Sequence, residues 1–276
     1  MGEFYMEPNN LELMFKYITE YKDRWFNDPD GDMKSFDDWG NKLDPKTELY
    51  AYVAALYGYN RFPNIVKDSD FESIQATKIY HGLENHQHGA NYLWDPVYHM
   101  GKGNFGSGMY FSTDYEDARS FVGGMFKDET KIITAKLSSK NTVKYTTLCK
   151  IADHFLDDQL FFHDEVLLSF QMRENFLKLE EFLNHKDNQD YHMDVVGFKM
   201  LLSDNPSIIG VLLGADAVLN DDRPEFYCGQ HIIILNRNAL IVPEKCAKII
   251  FQKSGREYCD AQYTLVSIDD VNNAQM

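Results

Sequence analysis

The chain has 276 residues, 44% of them hydrophobic and 14% aromatic, which is enough to build a packed core and excludes a disordered or collagen-like class. Its formal net charge of −16 repels phosphate backbones and acidic lipid headgroups, so tight non-specific nucleic-acid binding is disfavoured and a protein partner is favoured. No apolar run approaches the roughly 18 residues that span a bilayer, and residues 1–10 lack the basic-then-apolar order of a secretory signal.

Four cysteines (Cys149, Cys228, Cys246, Cys259) form no CxxC pair, which argues against a zinc ribbon and a disulfide framework. The expectation is a cytoplasmic protein, or one delivered into a target cell's cytoplasm without a signal peptide, with no membrane partner.

Along the chain, the first seventy-odd residues read as helices. Leu11, Met14, Phe15 and Ile18 share one helical face, and Asn9 with Glu12 has capping-box spacing. Residues 27–34 read as a loop, and the aspartates at 27–38 as a solvated face. Asp44-Pro45 predicts a helix start, with Leu49, Val53 and Leu56 on its apolar face and Gly58 and Pro63 ending it. Ser69 and Glu72 predict a third, short helix.

The pattern then changes. Residues 78–80 predict a strand leading into His81-Gly82, and 101–108 (GKGNFGSG) a glycine-rich loop. Residues 109–112 predict a short strand. Thr113 with Glu116 predicts a capped helix that Gly123-Gly124 stops. Residues 131–137 alternate as a strand, 146–213 read as mostly helical, and strands return at 216–219, 231–235 and 247–252. The fold class is α+β: a helical N-terminal lobe over residues 1–72, then a domain over residues 73–276.

Three short motifs close three of these strands. They are Ile79-Tyr80-His81-Gly82-Leu83, then Gly106-Ser107-Gly108-Met109-Tyr110-Phe111-Ser112 followed by Ala118 and Phe121, then Gly229-Gln230-His231 opening the run IIILNR. In this order the set resembles the ADP-ribosyltransferase superfamily, in its diphtheria-toxin/PARP-like branch with a His-Tyr-Glu triad on three core strands. The resemblance covers about residues 73–250. Residues 205–219 and the strand ending in LNRNAL look like the C-terminal half of bacterial and phage-borne members, and 44–75 like the lobe that often precedes them.

The resemblance implies a split β-sheet core and NAD as ADP-ribose donor, with no metal. It also implies mono-ADP-ribosylation of a macromolecular acceptor, a toxin or effector role, and an inhibitor or antitoxin partner. Expelling nicotinamide leaves an oxocarbenium-like ribose, so such an enzyme must hold the nicotinamide flat, fix the ribose and exclude water. By analogy His81 hydrogen-bonds the adenine-side ribose, and Gly82 offers backbone groups to the nicotinamide amide.

Tyr110 and Phe121, eleven residues apart, would sandwich the nicotinamide, an interaction worth roughly 0.5–2 kcal/mol. Phe121 stands where the family usually has Tyr, and Ala118 where it often has a small hydroxyl residue. Ser112-Thr113 is similar to the Ser-Thr step of the arginine-Ser-Glu branch, although Thr113 reads more simply as a helix cap.

Gln230 stands where the family usually has glutamate. An amide still accepts a hydrogen bond from the 2′-hydroxyl but supplies neither base nor negative charge. Catalytic candidates are therefore His81, Tyr110 and Gln230, with His231 and Glu225 as alternatives at the third position. Candidates for NAD binding are His81, Gly82, Tyr110, Ser112 and Phe121. His86, His88 and His99 read as solvated loop histidines rather than metal ligands. Two competing classes remain: a non-catalytic NAD- or ADP-ribose-binding module, and an NAD glycohydrolase.

Overall fold

A computed structural model describes residues 8–26, 45–59, 61–83, 93, 105–122, 132–139, 141–157, 168–187, 191–221, 229–246, 249–252 and 263–266. Helix α1 (Pro8–Phe26) and helix α2 (Pro45–Leu56) both open on a proline, whose missing N–H would find no partner in a first turn anyway. Asn9 thus lies inside α1 rather than capping it, a correction to the capping-box expectation. Strand β1 (Asn64–Val66) and helix α3 (Asp68–Phe71) follow. Ser69 also falls inside its helix, where its hydroxyl donates to Asp70 Oδ1, and the N-cap position belongs to Lys67.

Then come β2 (Thr77–Gly82), β3 (Met109–Ser112), α4 (Tyr115–Ser120), β4 (Ile132–Leu137) and β5 (Thr142–Lys144). Four helices succeed one another: α5 (Tyr145–Leu156), α6 (Phe170–Asp187), α7 (His192–Asp204) and α8 (Pro206–Leu213). Strands β6 (Ala217–Leu219), β7 (His231–Ile234) and β8 (Leu240–Pro243) complete the main sheet, and β9 (Ile249–Gln252) pairs with β10 (Tyr263–Val266) in a separate ribbon.

The architecture is α+β, with one mixed eight-stranded sheet in the order β1-β8-β4-β2-β3-β7-β6-β5. The sheet has a seam. Strand β2 shares six residue pairs with β4, and β3 shares four with β7, but β2 and β3 meet at the single pair Tyr80↔Ser112.

Two cores cover the two faces. Val143, Val218, Ile233 and Leu235 point into a helical core with α1, α2 and α5–α8, against which Tyr110 packs. Ile79, Met109, Phe111, Ile232 and Ile234 point into a second cluster on the other face. Helix α8 (PSIIGVLL) is buried at all eight positions, which suits its nearly continuous apolar sequence. Gly214 ends it in the left-handed conformation, at φ 85°.

Residues 1–72 thus contribute α1 and α2 to the same core as α5–α8, and β1 to the edge of the main sheet. Among the described residues no single helix is long and apolar enough to cross a membrane.

Candidate functional site

The three motif strands lie side by side as β2-β3-β7. Their registers align three rows across the seam. Tyr80 is paired with Ser112 and Ser112 with His231, so the next row holds His81, Phe111 and Ile232, and the one after it Gly82, Tyr110 and Ile233. On the other side, Thr113 lies opposite Gln230. The Thr113 N–H donates to the Gln230 carbonyl at 3.0 Å, and the Gln230 N–H donates to Thr113 Oγ1 at 2.8 Å.

His81 is half-buried, and its Nδ1–H donates to the Tyr110 carbonyl at 2.6 Å. A carbonyl only accepts, so Nδ1 carries the hydrogen and the neutral ring has Nε2 as its acceptor. The ring tilts against Phe111, with centroids 5.7 Å apart.

Gly82 has a packing reason to be glycine. A Cβ there would overlap the Ala118 carbonyl oxygen on α4. The same contact accounts for the close seating of α4 on β2.

Tyr110 is tied to the loop before it. Its hydroxyl donates to the Gly106 carbonyl at 2.5 Å and accepts the Phe105 N–H at 3.2 Å. Burial pushes this hydroxyl well above the usual tyrosine range, so it stays neutral. The loop turns through Gly106 and Gly108, both at positive φ (99° and 132°), where a side chain would be strained. Asn205 fastens it further: its Oδ1 accepts the Ser107 N–H at 3.0 Å, and its Nδ2 donates to Ser107 Oγ at 2.9 Å.

The cap of α4 corrects the sequence expectation. Asp114, not Thr113, is the N-cap, its carboxylate accepting the Asp117 N–H at 2.8 Å. The Thr113 hydroxyl instead holds the Gln230 backbone. Ser112 is buried and used internally, donating to Asp117 Oδ2 at 3.1 Å and accepting the Asp114 N–H at 3.0 Å.

Asp117 is the residue the sequence did not single out. It is buried, and its Oδ2 accepts from Ser112 Oγ and from the Gly229 N–H, at 3.1 Å each. His231 Nε2 lies 3.3 Å from the same oxygen. Phe121, half-exposed at the end of α4, presents its ring edge-on to His231 with centroids 6.3 Å apart. The only hint in the sequence is the spacing Asp114-x-x-Asp117, which reads as an ordinary capping pattern.

Strand alternation divides the candidates between two faces. His231 lies on the face of Ile233 and Tyr110, under α4, with Ser112, Asp117 and Phe121. Gln230 precedes β7, and the alternation extended by one residue assigns it to the face of Ile232 and Phe111, the one His81 occupies. His86, His88, His99, Glu225 and residues 101–104 of the glycine-rich segment lie outside the described residues. Among the described residues no three metal-ligating side chains gather.

A cavity of about 710 Å³ opens at the other end of β7, lined by Tyr59, Arg61, Asn141, Asp216 and Asn236 among others. None of the candidate site residues His81, Gly82, Tyr110, Ser112, Phe121, Gln230 and His231 lines it. The geometry of the seam, not the cavity's size, identifies the candidate site, because the seam gathers the chemistry-bearing side chains. No family model matches the sequence, and no curated protein or solved structure matches it significantly.

Proposed function

We propose that the chain is a mono-ADP-ribosyltransferase with an ADP-ribosyltransferase-like split sheet, taking NAD as donor and releasing nicotinamide. One observation carries the reading. The motif strands, up to about 150 residues apart in sequence, are neighbours in the order β2-β3-β7 and join across a seam of one residue pair. A seam lets two half-sheets diverge, which is where an extended dinucleotide fits. His81 lies on the half-sheet of β2; Tyr110, Gln230, His231 and, at the end of α4, Phe121 belong to the other side.

The roles follow from the chemistry of each side chain. His81, its Nδ1–H held by the Tyr110 carbonyl, is assigned by the resemblance to a ribose hydroxyl. Tyr110 and Phe121 offer flat faces to the pyridinium of NAD. Gly82 offers its backbone. The acceptor is a macromolecule, with protein favoured over RNA by the net charge of −16. A toxin or effector role with a cognate inhibitor belongs to the same proposal and rests on the motif resemblance.

Gln230 supports a second reading, a module of the same fold that binds NAD or ADP-ribose without turning it over. An amide supplies neither base nor negative charge at the oxocarbenium. Incubation of the purified chain with NAD separates the two. Nicotinamide release is expected; NAD binding without release would establish the module instead. Free ADP-ribose with no modified macromolecule in a whole-cell extract would identify an NAD glycohydrolase.

A further inference from the structure

We infer that the cavity at the far end of β7 is a binding site for a neutral saccharide, separate from the seam. The inference goes beyond the transferase reading and stands without it.

Three observations carry it. The first is the polar network along the cavity, which is already assembled. Asp216 is buried, its Oδ1 accepts from Asn236 Nδ2 at 2.6 Å, and Ser139 Oγ donates to its Oδ2. Asn236 Oδ1 in turn accepts the Asn238 N–H at 3.1 Å, and Ser139 Oγ accepts the Asn141 N–H at 2.9 Å. The Asp216 carbonyl takes the N–H groups of Leu235 and Asn236, at 3.0 Å each. Each carboxylate or amide oxygen has two lone pairs, so the network holds acceptors in fixed positions with capacity left over.

The second is the balance of charge and hydrogen-bonding groups. Among the described residues Arg61 and Asp216 are the only charged groups lining the cavity, and they offset each other. Arg61 makes no ion pair among the described residues, and the exposed side-chain amides of Asn141 and Asn238 make no hydrogen bond among them. Arg61 lies over Gly58, where a Cβ would come within 3.2 Å of Arg61 Nε. An anion would meet the Asp216 carboxylate and a cation the Arg61 guanidinium. A neutral ligand rich in hydroxyls uses both, donating to the carboxylate and amide oxygens and accepting from the guanidinium and amide N–H groups.

The third is the aromatic ring beside these groups. Phe170, the first residue of α6, is 80% exposed and lines the cavity. A sugar ring packs its C–H bonds on such a face while its hydroxyls bond the planar amides. The cavity's volume of about 710 Å³ falls within the range of small-molecule sites, roughly 300–1,000 Å³.

Saturation-transfer NMR on the full chain tests this, with glucose, galactose, mannose, N-acetylglucosamine and maltose as separate probes. At least one should show transfer at about 10 mM, a concentration that populates complexes of millimolar Kd. Phe170→Ala should weaken binding of that sugar about fivefold, and Asn141→Ala or Asn238→Ala by a similar factor, because each removes one contact. None of these three side chains holds the fold by a hydrogen bond among the described residues, so circular dichroism of the variants should match the wild type. Phe121→Ala, at the seam, should bind the sugar unchanged. Absence of transfer to every sugar overturns the proposal. So does a sugar signal that survives in the Phe170→Ala/Asn238→Ala double variant, or one that disappears in a folded Phe121→Ala. Transfer to AMP that Phe170→Ala abolishes, with none to any sugar, would overturn it in favour of a nucleotide. Nicotinamide release does not enter these outcomes, so failure here and failure of the transferase reading are separate results.

Discussion

The Tyr110 hydroxyl donates to the Gly106 carbonyl at 2.5 Å, so the aromatic residue of the second motif also closes the loop that precedes its strand. Its ring and its hydroxyl can be tested separately. Tyr110→Phe keeps the ring and orphans the Gly106 carbonyl and the Phe105 N–H. It should cost about 1–3 kcal/mol in urea unfolding and leave NAD affinity nearly unchanged. Tyr110→Ala should weaken NAD binding about tenfold by calorimetry. Equal affinity for a folded Tyr110→Ala would remove the nicotinamide sandwich.

Three tyrosines make the fold sensitive to alkali. Burial is the largest cause raising the hydroxyls of Tyr50, Tyr59 and Tyr110 above their ordinary value of 10.0. All three are neutral when folded and ionise more readily when unfolded. The stability they contribute is therefore complete below about pH 10 and is lost as pH rises beyond it, at about 1.4 kcal/mol per pH unit for each. Urea midpoints measured from pH 8 to pH 12 should fall above pH 10. Tyrosinate absorbance from this buried set should rise only with unfolding. Ionisation of all tyrosines while the chain stays folded would contradict the burial.

Gly82→Ala should be more damaging than an ordinary strand substitution. The added Cβ meets the Ala118 carbonyl, a backbone atom that cannot swing aside, so α4 must shift on β2. Overpacking of this kind costs typically about 1–3 kcal/mol. A lowered thermal midpoint is expected, together with weaker NAD binding because α4 carries Phe121 at its end. A variant as stable as wild type would mean that α4 is not seated on β2 in this way.

Lys136 is a buried lysine held by backbone carbonyls and an aromatic ring. Its ammonium donates to the carbonyls of Phe71 at 2.6 Å, Ile74 at 2.9 Å and Glu72 at 3.3 Å, and lies over the Phe71 ring. These oxygens cluster at the C-terminal end of α3, where a positive charge is favoured. Lys136→Met preserves the stem and removes the donor. Since a hydrogen bond to a charged group contributes about 1.5–3 kcal/mol, a loss of at least that size is expected in denaturant unfolding. Loss of less than a few tenths would show that water replaces the ammonium there.

Much of the fold was legible in local pattern. The apolar alternation of 132–137, the continuous apolar run of 232–235 and the periodicity of α1 and α2 each report on neighbours close along the chain. Strands β1, β5 and β8 escaped that reading. They are three or four residues long, and β1 and β5 exist as parallel pairs with β8 and β6, which only a distant segment can complete. The capping residue of α4 was missed by one position because Thr113 and Asp114 are both good caps. The choice between them depends on Gln230, whose backbone engages the Thr113 hydroxyl from 117 residues away.

The sequence by itself determined the α+β class, the acidic surface charge and the strand ends carrying His81, Tyr110 and Gln230. Tertiary structure alone decided which side chains meet. Alternation along β7 tells that Gln230 and His231 point to opposite faces, but not which face is which. That choice follows from the pairing of β7 with β3, which puts His231 beside Ser112 and under α4. Asp117 shows the same limit. Nothing local distinguishes it from a solvated first-turn acid, because the Gly229 N–H that fixes its carboxylate comes from 112 residues further along the chain.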